Sequence, residues 1–423
     1  MDNRRPRDRR PTQRSYNDDL YLGMSYEYGK LTDEQRRRQR ARKLAAQRRK
    51  RNNRIKLILL GVIFIALVVS IVVGISSCVK GCSSDSSNGG FKTVTTSNSN
   101  SSSERKTEAG SNTADPLVFV VPQIEDDNSK GTFSSQGAVY LWKDSAYEVF
   151  GADGTRSDMY ADLMNTASEK LGDKIKAYSM IVPLHSEMNL PDRLKNEAGA
   201  TSQADNIHNA YSKFNGVQPI NVYNTLAGHN SEYLYFKSDH HWTGLGAYYA
   251  YTAFCEQTNQ KPMSISQEGS HSIPGFTGSF HTYGSGLSDT VTYYDLPYAT
   301  TCTLYADPNG EGQPADVYYE GETGGENTYG VFINGDQPRF IIESEIDNEK
   351  KIAVVKESFG NAFVPYLSAN YSEVHVLDMR SCGVTDLKAY CEENGIDEVL
   401  FINNIMSANS ADRIADVERV IGK

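Results

Sequence analysis

Two short stretches of this 423-residue chain carry residue types that could perform acyl chemistry. They are Lys237-Ser238-Asp239-His240-His241-Trp242-Thr243 and Lys356-Glu357-Ser358-Phe359-Gly360-Asn361. A serine hydroxyl becomes a nucleophile when a base takes its proton, and an imidazole base works in one tautomer when an acid holds its other nitrogen. Ser358, His241 and Asp239 supply those three groups. Two other uses of the same residues stay open. Asp-His-His could ligate a metal, although two adjacent histidines and one carboxylate make an incomplete set. Ser358 could be a helix N-cap, the ordinary use of serine at a strand-to-helix junction. The chain has no G-x-S-x-G elbow, which disfavours an α/β-hydrolase of that type. It also has no C-x-x-C pair and no His/Cys cluster at zinc spacing, so neither a metal nor another cofactor is expected.

Both stretches are expected where a strand passes into a helix. In an open α/β sheet that is the carboxyl edge, where residues 117 positions apart can converge on one crevice. The elements that would place them there alternate short apolar runs with helical patterns. Upstream, a helix is expected at Ser157–Leu171, a buried strand at Ile175–Val182, a helix near Ala204–Phe214, strands at Ile220–Tyr223 and Tyr233–Phe236, and a helix from Thr243 to Gln257. Downstream, strands at Ile352–Val355, Val374–Leu377 and Val399–Ile402 alternate with helices from Asn361, near Val384–Glu393 and near Ala408–Ile421. This is the βαβα pattern of a parallel sheet covered by helices. Between the two parts, about residues 262–345 are rich in Gly, Thr and Tyr, with alternating runs at Thr290–Tyr294, Thr301–Tyr305 and Val317–Tyr319. They are read as a β-rich insertion whose Tyr283, Tyr293 and Tyr329 would suit a sugar-binding wall or simply pack.

Charge divides the chain differently. Residues 1–56 hold 19 Lys+Arg against 7 Asp+Glu, and the remainder holds 24 against 46. Between them Leu57–Ile75 runs 19 residues without a charge. At about 1.5 Å per residue that is enough to cross a hydrocarbon core of about 30 Å. The positive-inside rule then sets a basic cytoplasmic tail at 1–56, a transmembrane signal anchor at 57–77 and everything after it outside the cell membrane. The Arg-rich run from Glu34 to Lys50 lacks interleaved aromatics and any DNA-binding motif, so nucleic acid is not an expected partner. Residues 78–115, mostly Ser, Asn, Thr and Gly, are expected to form a flexible stalk, and 116–423 one large α/β domain. Cys255, Cys302, Cys382 and Cys391 lie in that domain, where an extracytoplasmic setting permits disulfides. A helix between Cys382 and Cys391 would separate them by roughly 12 Å, too far for a bridge.

The stretch SDHHWT followed by ESFGNAF resembles the DHHW proteins and, through them, the alginate O-acetyltransferase-like branch of the SGNH hydrolase superfamily. The resemblance implies an SGNH-hydrolase-like doubly wound parallel sheet in circularly permuted order, with the Asp-x-His pair ahead of the serine. Carried over, Asp239 orients His241, His241 is the base and Ser358 attacks. Ile352–Val355 would then be the first strand of the superfamily, Val374–Leu377 the second and Val399–Ile402 the third. The third strand ends at the oxyanion-hole asparagine position, occupied here by Asn403-Asn404, of which strand alternation sends only one to each face. Gly383, after the second strand, would match the glycine donor, with the Ser358 N–H as another. Asn361, Arg380 and Trp242 are candidates for holding the acyl or sugar group, with helix capping the alternative for Asn361 and packing under the turn the alternative for Trp242. His240 is expected to be structural or to support the site from behind. The superfamily's Gly-Asp-Ser reads Lys356-Glu357-Ser358 here, which bears on the tight turn at the nucleophile.

Such a site transfers acyl groups through an acyl-serine, and the acceptor names the enzyme. A sugar hydroxyl makes it an O-acetyltransferase of a cell-surface polysaccharide, supplied by a membrane-bound O-acyltransferase partner that the resemblance implies. Water makes it a carbohydrate acetyl esterase. A non-catalytic glycan-binding or assembly scaffold is the alternative from another class.

Overall fold

The computed structural model describes residues 115–423 except 135, 136, 138, 153 and 322. The expected tail 1–56, membrane span 57–77 and stalk up to residue 114 lie outside the described residues. Among the described residues no helix is long and apolar enough to cross a membrane.

The strands in chain order are β1 Thr132–Phe133, β2 Tyr140–Trp142, β3 Ser145–Tyr147, β4 Lys176–Val182, β5 Val217–Pro219, β6 Ser270–Phe276, β7 Asp289–Tyr294, β8 Thr300–Tyr305, β9 Gln313–Ala315, β10 Arg339–Ser344, β11 Lys351–Lys356, β12 Glu373–Asp378 and β13 Glu398–Asn404. The longer helices are α1 Thr155–Leu171, α2 Gln203–Tyr211, α3 Gly244–Gln257, α4 Gly360–Leu367, α5 Leu387–Asn394 and α6 Ala411–Val420. Eight strands form the main sheet in the order β5-β4-β13-β11-β12-β10-β8-β9. The first five are mutually parallel and the last three join antiparallel. Counted from β11, the parallel strands lie in the order 2-1-3-4-5 of a doubly wound sheet, with the fourth and fifth supplied by earlier chain.

The sequences explain the burial. KIAVVK, EVHVLD and EVLFINN are near-continuous apolar runs, and all but their first residues are buried. That is the signature of parallel strands covered on both faces. On β4, Tyr178 meets Phe254 of α3 edge-on at 5.7 Å, while the next residue, Ser179, hydrogen-bonds Tyr160 of α1 at 3.0 Å. Successive strand residues face opposite ways, so α1 and α3 cover opposite faces of the sheet.

Four expectations need correcting. The strand expected at Ile220–Tyr223 lies earlier, at β5, because Pro219 ends the ladder and Tyr223 starts a short helix, Tyr223–Gly228. Tyr233–Phe236 is no strand. Its apolar residues are buried in a loop that closes on itself through an isolated bridge, Tyr235 to Trp242. Val317–Tyr319 likewise makes one bridge, Tyr318 to Phe332. The insertion is β-rich, but β8, β9 and β10 extend the main sheet, leaving β6–β7 as a separate hairpin. A three-stranded sheet, β1–β2–β3, precedes α1 and has no counterpart in the sequence reading. Cys255, Cys302, Cys382 and Cys391 are free and buried.

Candidate active site

The loop holding Asp239–His241 is closed by main-chain bonds at its neck, from Phe236 N–H to His241 O (3.2 Å) and from Thr243 N–H to Leu234 O (2.8 Å). Thr243 then caps α3, its side chain accepting from Gly246 N–H. The Ser358 turn leaves the end of β11 and enters α4 with Gly360 N–H bonded to Glu357 O at 3.0 Å. Gly360 has to be glycine for the helix to sit this close, since a Cβ would come within 2.7 Å of Lys356 Cβ. Trp242 fastens loop to turn, its Nε1–H donating to Phe359 O at 2.9 Å.

The three expected groups meet. Asp239 Oδ1 lies 2.6 Å from His241 Nδ1, and His241 Nε2 lies 2.7 Å from Ser358 Oγ. Asp239 is held further by His241 N–H at 2.9 Å and by Ser279 N–H on its other oxygen at 2.8 Å. Burial would raise the Asp239 carboxyl, but the His241 and His240 imidazoles and the bonds from His241 and Ser279 N–H hold it well below the usual carboxylate range. An ionised Asp239 places the imidazole proton on Nδ1, leaving Nε2 to accept from the serine. Tyr329 stacks on the His241 ring (centroids 4.0 Å, 11°) and His240 packs against it at 3.8 Å. Asp239 and His241 are buried while Ser358 is half-exposed, so the chain of bonds opens outward at its nucleophilic end.

Glu357 stands beside the nucleophile. Its Oε2 accepts from Phe359 N–H (3.1 Å) and lies 3.2 Å from Ser358 Oγ, and its Oε1 accepts from Asn404 N–H (2.9 Å). Burial raises this carboxyl, against the two main-chain donors. Glu357 thus ties the Ser358 turn to the end of β13.

An ion cluster adjoins this turn. Lys356 Nζ, fully buried, lies 2.9 Å from Asp378 and 3.3 Å from Asp336. Arg380 bonds the same two carboxylates at 2.6 and 2.8 Å. Burial disfavours the charges of Asp336 and Asp378, but Arg380 and Lys356 keep both acids ionised below their usual range.

The remaining expected residues divide. Asn361 donates to Asp336 at 2.9 Å, and Arg380 is committed to two carboxylates, so both belong to the ion cluster. Trp242 is fully buried and is a packing residue, which corrects its place among the substrate-binding candidates. Asn403 points to the α1 face, donating to Tyr160 OH at 3.2 Å, and leaves the site to its neighbour. Asn404 reaches the site through its N–H to Glu357, while its side-chain oxygen caps the short helix Ile405–Ala408. Gly383 is not brought to the serine. It takes a left-handed φ of 74° against Pro308, in a cavity of about 250 Å³ whose lining includes neither Ser358 nor His241. Of the three tyrosines of the supposed sugar wall, Tyr329 and Tyr293 are buried against His241 and Tyr318, and Tyr283 packs beside Phe280. Asp239, His240 and His241 bring one ligand atom each within 4.8 Å of one another, but a metal there would compete with the bonds to Ser279 and Ser358. Sequence reasoning missed Ser279 and the bonds of Glu357. The adjacency of Glu357 to the serine was a usable signal, whereas Ser279 offered none.

Residues 83–377 match the family model described as DHHW protein. Among solved structures the chain is similar to a DHHW family protein from Eubacterium siraeum DSM 15702, at 27% identity over 69% of this chain and 99% of that one, with a TM-score of 0.63. It is also similar to Bacillus cereus PatB1 in a structure with a sulfonyl adduct, at 20% identity over 65% of this chain and 97% of that one, with a TM-score of 0.54. The second likeness is one of fold, a mixed α/β architecture built on a multi-strand sheet. No curated protein matches the chain in sequence.

Proposed function

This chain belongs to the DHHW protein family, and from that premise we propose that it is a membrane-anchored, extracytoplasmic O-acetyltransferase acting on a cell-surface polysaccharide. The observation that carries the reading is the unbroken Asp239–His241–Ser358 chain, at 2.6 and 2.7 Å. Ser358 Oγ attacks the carbonyl carbon of an acetyl donor as His241 Nε2 takes its proton. The tetrahedral intermediate collapses to acetyl-Ser358 when His241 returns the proton to the departing group. A sugar hydroxyl then attacks the acetyl-serine, His241 accepts the sugar's proton, and the serine leaves with it. The main-chain N–H of Ser358 is an oxyanion donor in this scheme, since those of Phe359 and Gly360 are held by Glu357.

The strand order 2-1-3-4-5 counted from β11 supports an SGNH-like sheet in permuted order. The uncharged run Leu57–Ile75 and the basic residues ahead of it support one membrane span with the catalytic domain outside, as the sequence led us to expect. An acetyl group used outside the cell has to be exported, and a membrane-bound O-acyltransferase is the partner proposed to do so.

The test is turnover of a chromogenic acetyl ester by the full chain, with and without an oligosaccharide acceptor, combined with intact mass and labelling by a sulfonyl fluoride. Acetyl or sulfonyl mass on Ser358, absent in Ser358→Ala, supports the acyl-serine, and acetylated oligosaccharide makes the protein a transferase. Hydrolysis indifferent to the acceptor makes it an esterase. A wild-type chain that neither turns over nor takes a label sinks the enzymatic reading in favour of a glycan-binding scaffold.

A further inference from the structure

The small sheet ahead of α1 is laid directly against the Asp239 loop. Ala146 N–H donates to Lys237 O at 3.0 Å, Lys237 pairs with Asp144, and Val139 and Ala146 pack on Phe280, the residue after Ser279. Glu148 follows β3 by one residue. It is 5% exposed, and its Oε2 is buried without a hydrogen-bond partner among the described residues. Burying a carboxyl with an unsatisfied oxygen is costly, so a position that keeps one calls for a reason.

The charged and titratable groups that act on Glu148 are His240, Asp239 and Glu357, all members of the site. His240 in turn feels His241, Asp239, Glu148 and Glu357. Its ring lies 3.8 Å from the His241 ring, and its Nδ1 is fixed by Ser279 Oγ at 2.7 Å. Glu148, Asp239 and Glu357 are thus all electrostatic neighbours of His240, whose ring lies against that of His241.

We propose that Glu148 is a positioning residue of this site, acting on His241 through His240 and adding a third carboxylate to the field in which the imidazolium forms. The proposal rests on the acyl-transfer reading above. When the Ser358 proton moves to His241 Nε2, a positive charge appears in a place shielded from water, where a nearby negative charge is worth more than in solution. An ionised Glu148 stabilises that charge and a protonated one does not. No proton passes to Glu148 in the step. Burial pushes the Glu148 carboxyl up to about 7, so its charge changes within the range where the enzyme would work.

The experiment measures kcat/KM for a chromogenic acetyl ester from pH 5.5 to 8.5 on the full chain, for wild type, Glu148→Gln and Glu148→Asp. Histidine-selective NMR titration follows His240 in the same three samples. Glu148→Gln is expected to fall about threefold to tenfold below wild type at the alkaline end, the gap narrowing as pH falls, because the amide mimics the protonated acid. Glu148→Asp restores part of the alkaline activity, and His240 titrates at lower pH in Glu148→Gln. A wild-type to Glu148→Gln ratio that is constant with pH would mark a purely structural residue and overturn the proposal. So would a His240 titration that does not move. If wild type neither turns over the ester nor takes a label on Ser358, the acyl-transfer reading fails, and the His240 titration alone decides whether Glu148 acts on the imidazole pair.

Discussion

Two buried polar clusters meet at the Ser358 turn and are built on different terms. In the first, Lys356 and Arg380 face Asp336 and Asp378, cation against acid, with each ion pair at 3.3 Å or less. In the second, Asp239, Glu148 and Glu357 all act on His240 beside His241, and the acids are driven apart: Asp239 downward, the two glutamic acids upward by burial. Matched charges keep one shape across a wide pH range and have no proton to give. Carboxyls pushed in opposite directions beside imidazoles are the arrangement that moves protons.

Ser358→Ala should separate the two clusters most sharply. It removes the nucleophile and touches no member of the ion cluster, so ester turnover should fall by at least about 10³-fold. Thermal unfolding should stay near that of wild type, and a large loss of stability would mean that the turn depends on the hydroxyl. Lys356→Met breaks the other cluster by stranding two acids beside one arginine. Chemical denaturation should register a loss of about 3–5 kcal/mol; a neutral result would show that the ion cluster contributes no net stability.

Glu148→Gln should act in the opposite direction on stability. The folded carboxyl titrates at about 7 against an ordinary value of 4.5. Between those values the unfolded chain has released the proton and the folded one has not, so folding loses stability as pH rises through this window. The amide should therefore stabilise the protein by about 3 kcal/mol at pH 8 and by almost nothing at pH 4. Denaturation midpoints at the two pH values check it, and equal shifts at both would place the effect outside the titration. Ser279→Ala should have the smallest effect. It removes the bond to His240 Nδ1 but keeps the N–H that holds Asp239, and should cost about 1 kcal/mol with a modest fall in turnover. A collapse of activity on that change would mean that His240 carries more of the chemistry than its place behind His241 implies.

How much of this was legible in the sequence follows from the physics of each segment. Parallel strands buried on both faces leave continuous apolar runs, so β4, β11, β12 and β13 were found to within two residues at each end. Tyr233–Phe236 leaves the same kind of run for another reason: Leu234, Tyr235 and Phe236 are buried beneath a loop rather than in a ladder. Composition cannot tell those two kinds of burial apart. That Asp239, His241 and Ser358 meet was legible because their residue types stand in compact motifs. Gly383 was misplaced by counting along a related strand order, because the chain after β12 turns back on Asp378, with Cys382 N–H bonded to Asp378 O at 2.8 Å, and the glycine ends at Pro308. Glu148 left no trace, since a glutamate after a three-residue strand reads as surface until the fold encloses it.

Ser279 N–H reaches Asp239 across 40 residues, and Ser358 reaches His241 across 117. Gly278 is pressed so close to the loop that a Cβ there would come within 2.6 Å of Asp239 Cβ. This spacing sets an order of events during synthesis. The acid and base emerge early and cannot be locked until the insertion has been made and has docked. Ser358 arrives later still, and Asn404 of β13, whose N–H anchors the Ser358 turn through Glu357, follows Glu357 by 47 residues. The Asp239–His241–Ser358 arrangement is therefore deferred until β13 has been made and has joined the sheet, and a copy that stops before β13 carries the motif without the geometry.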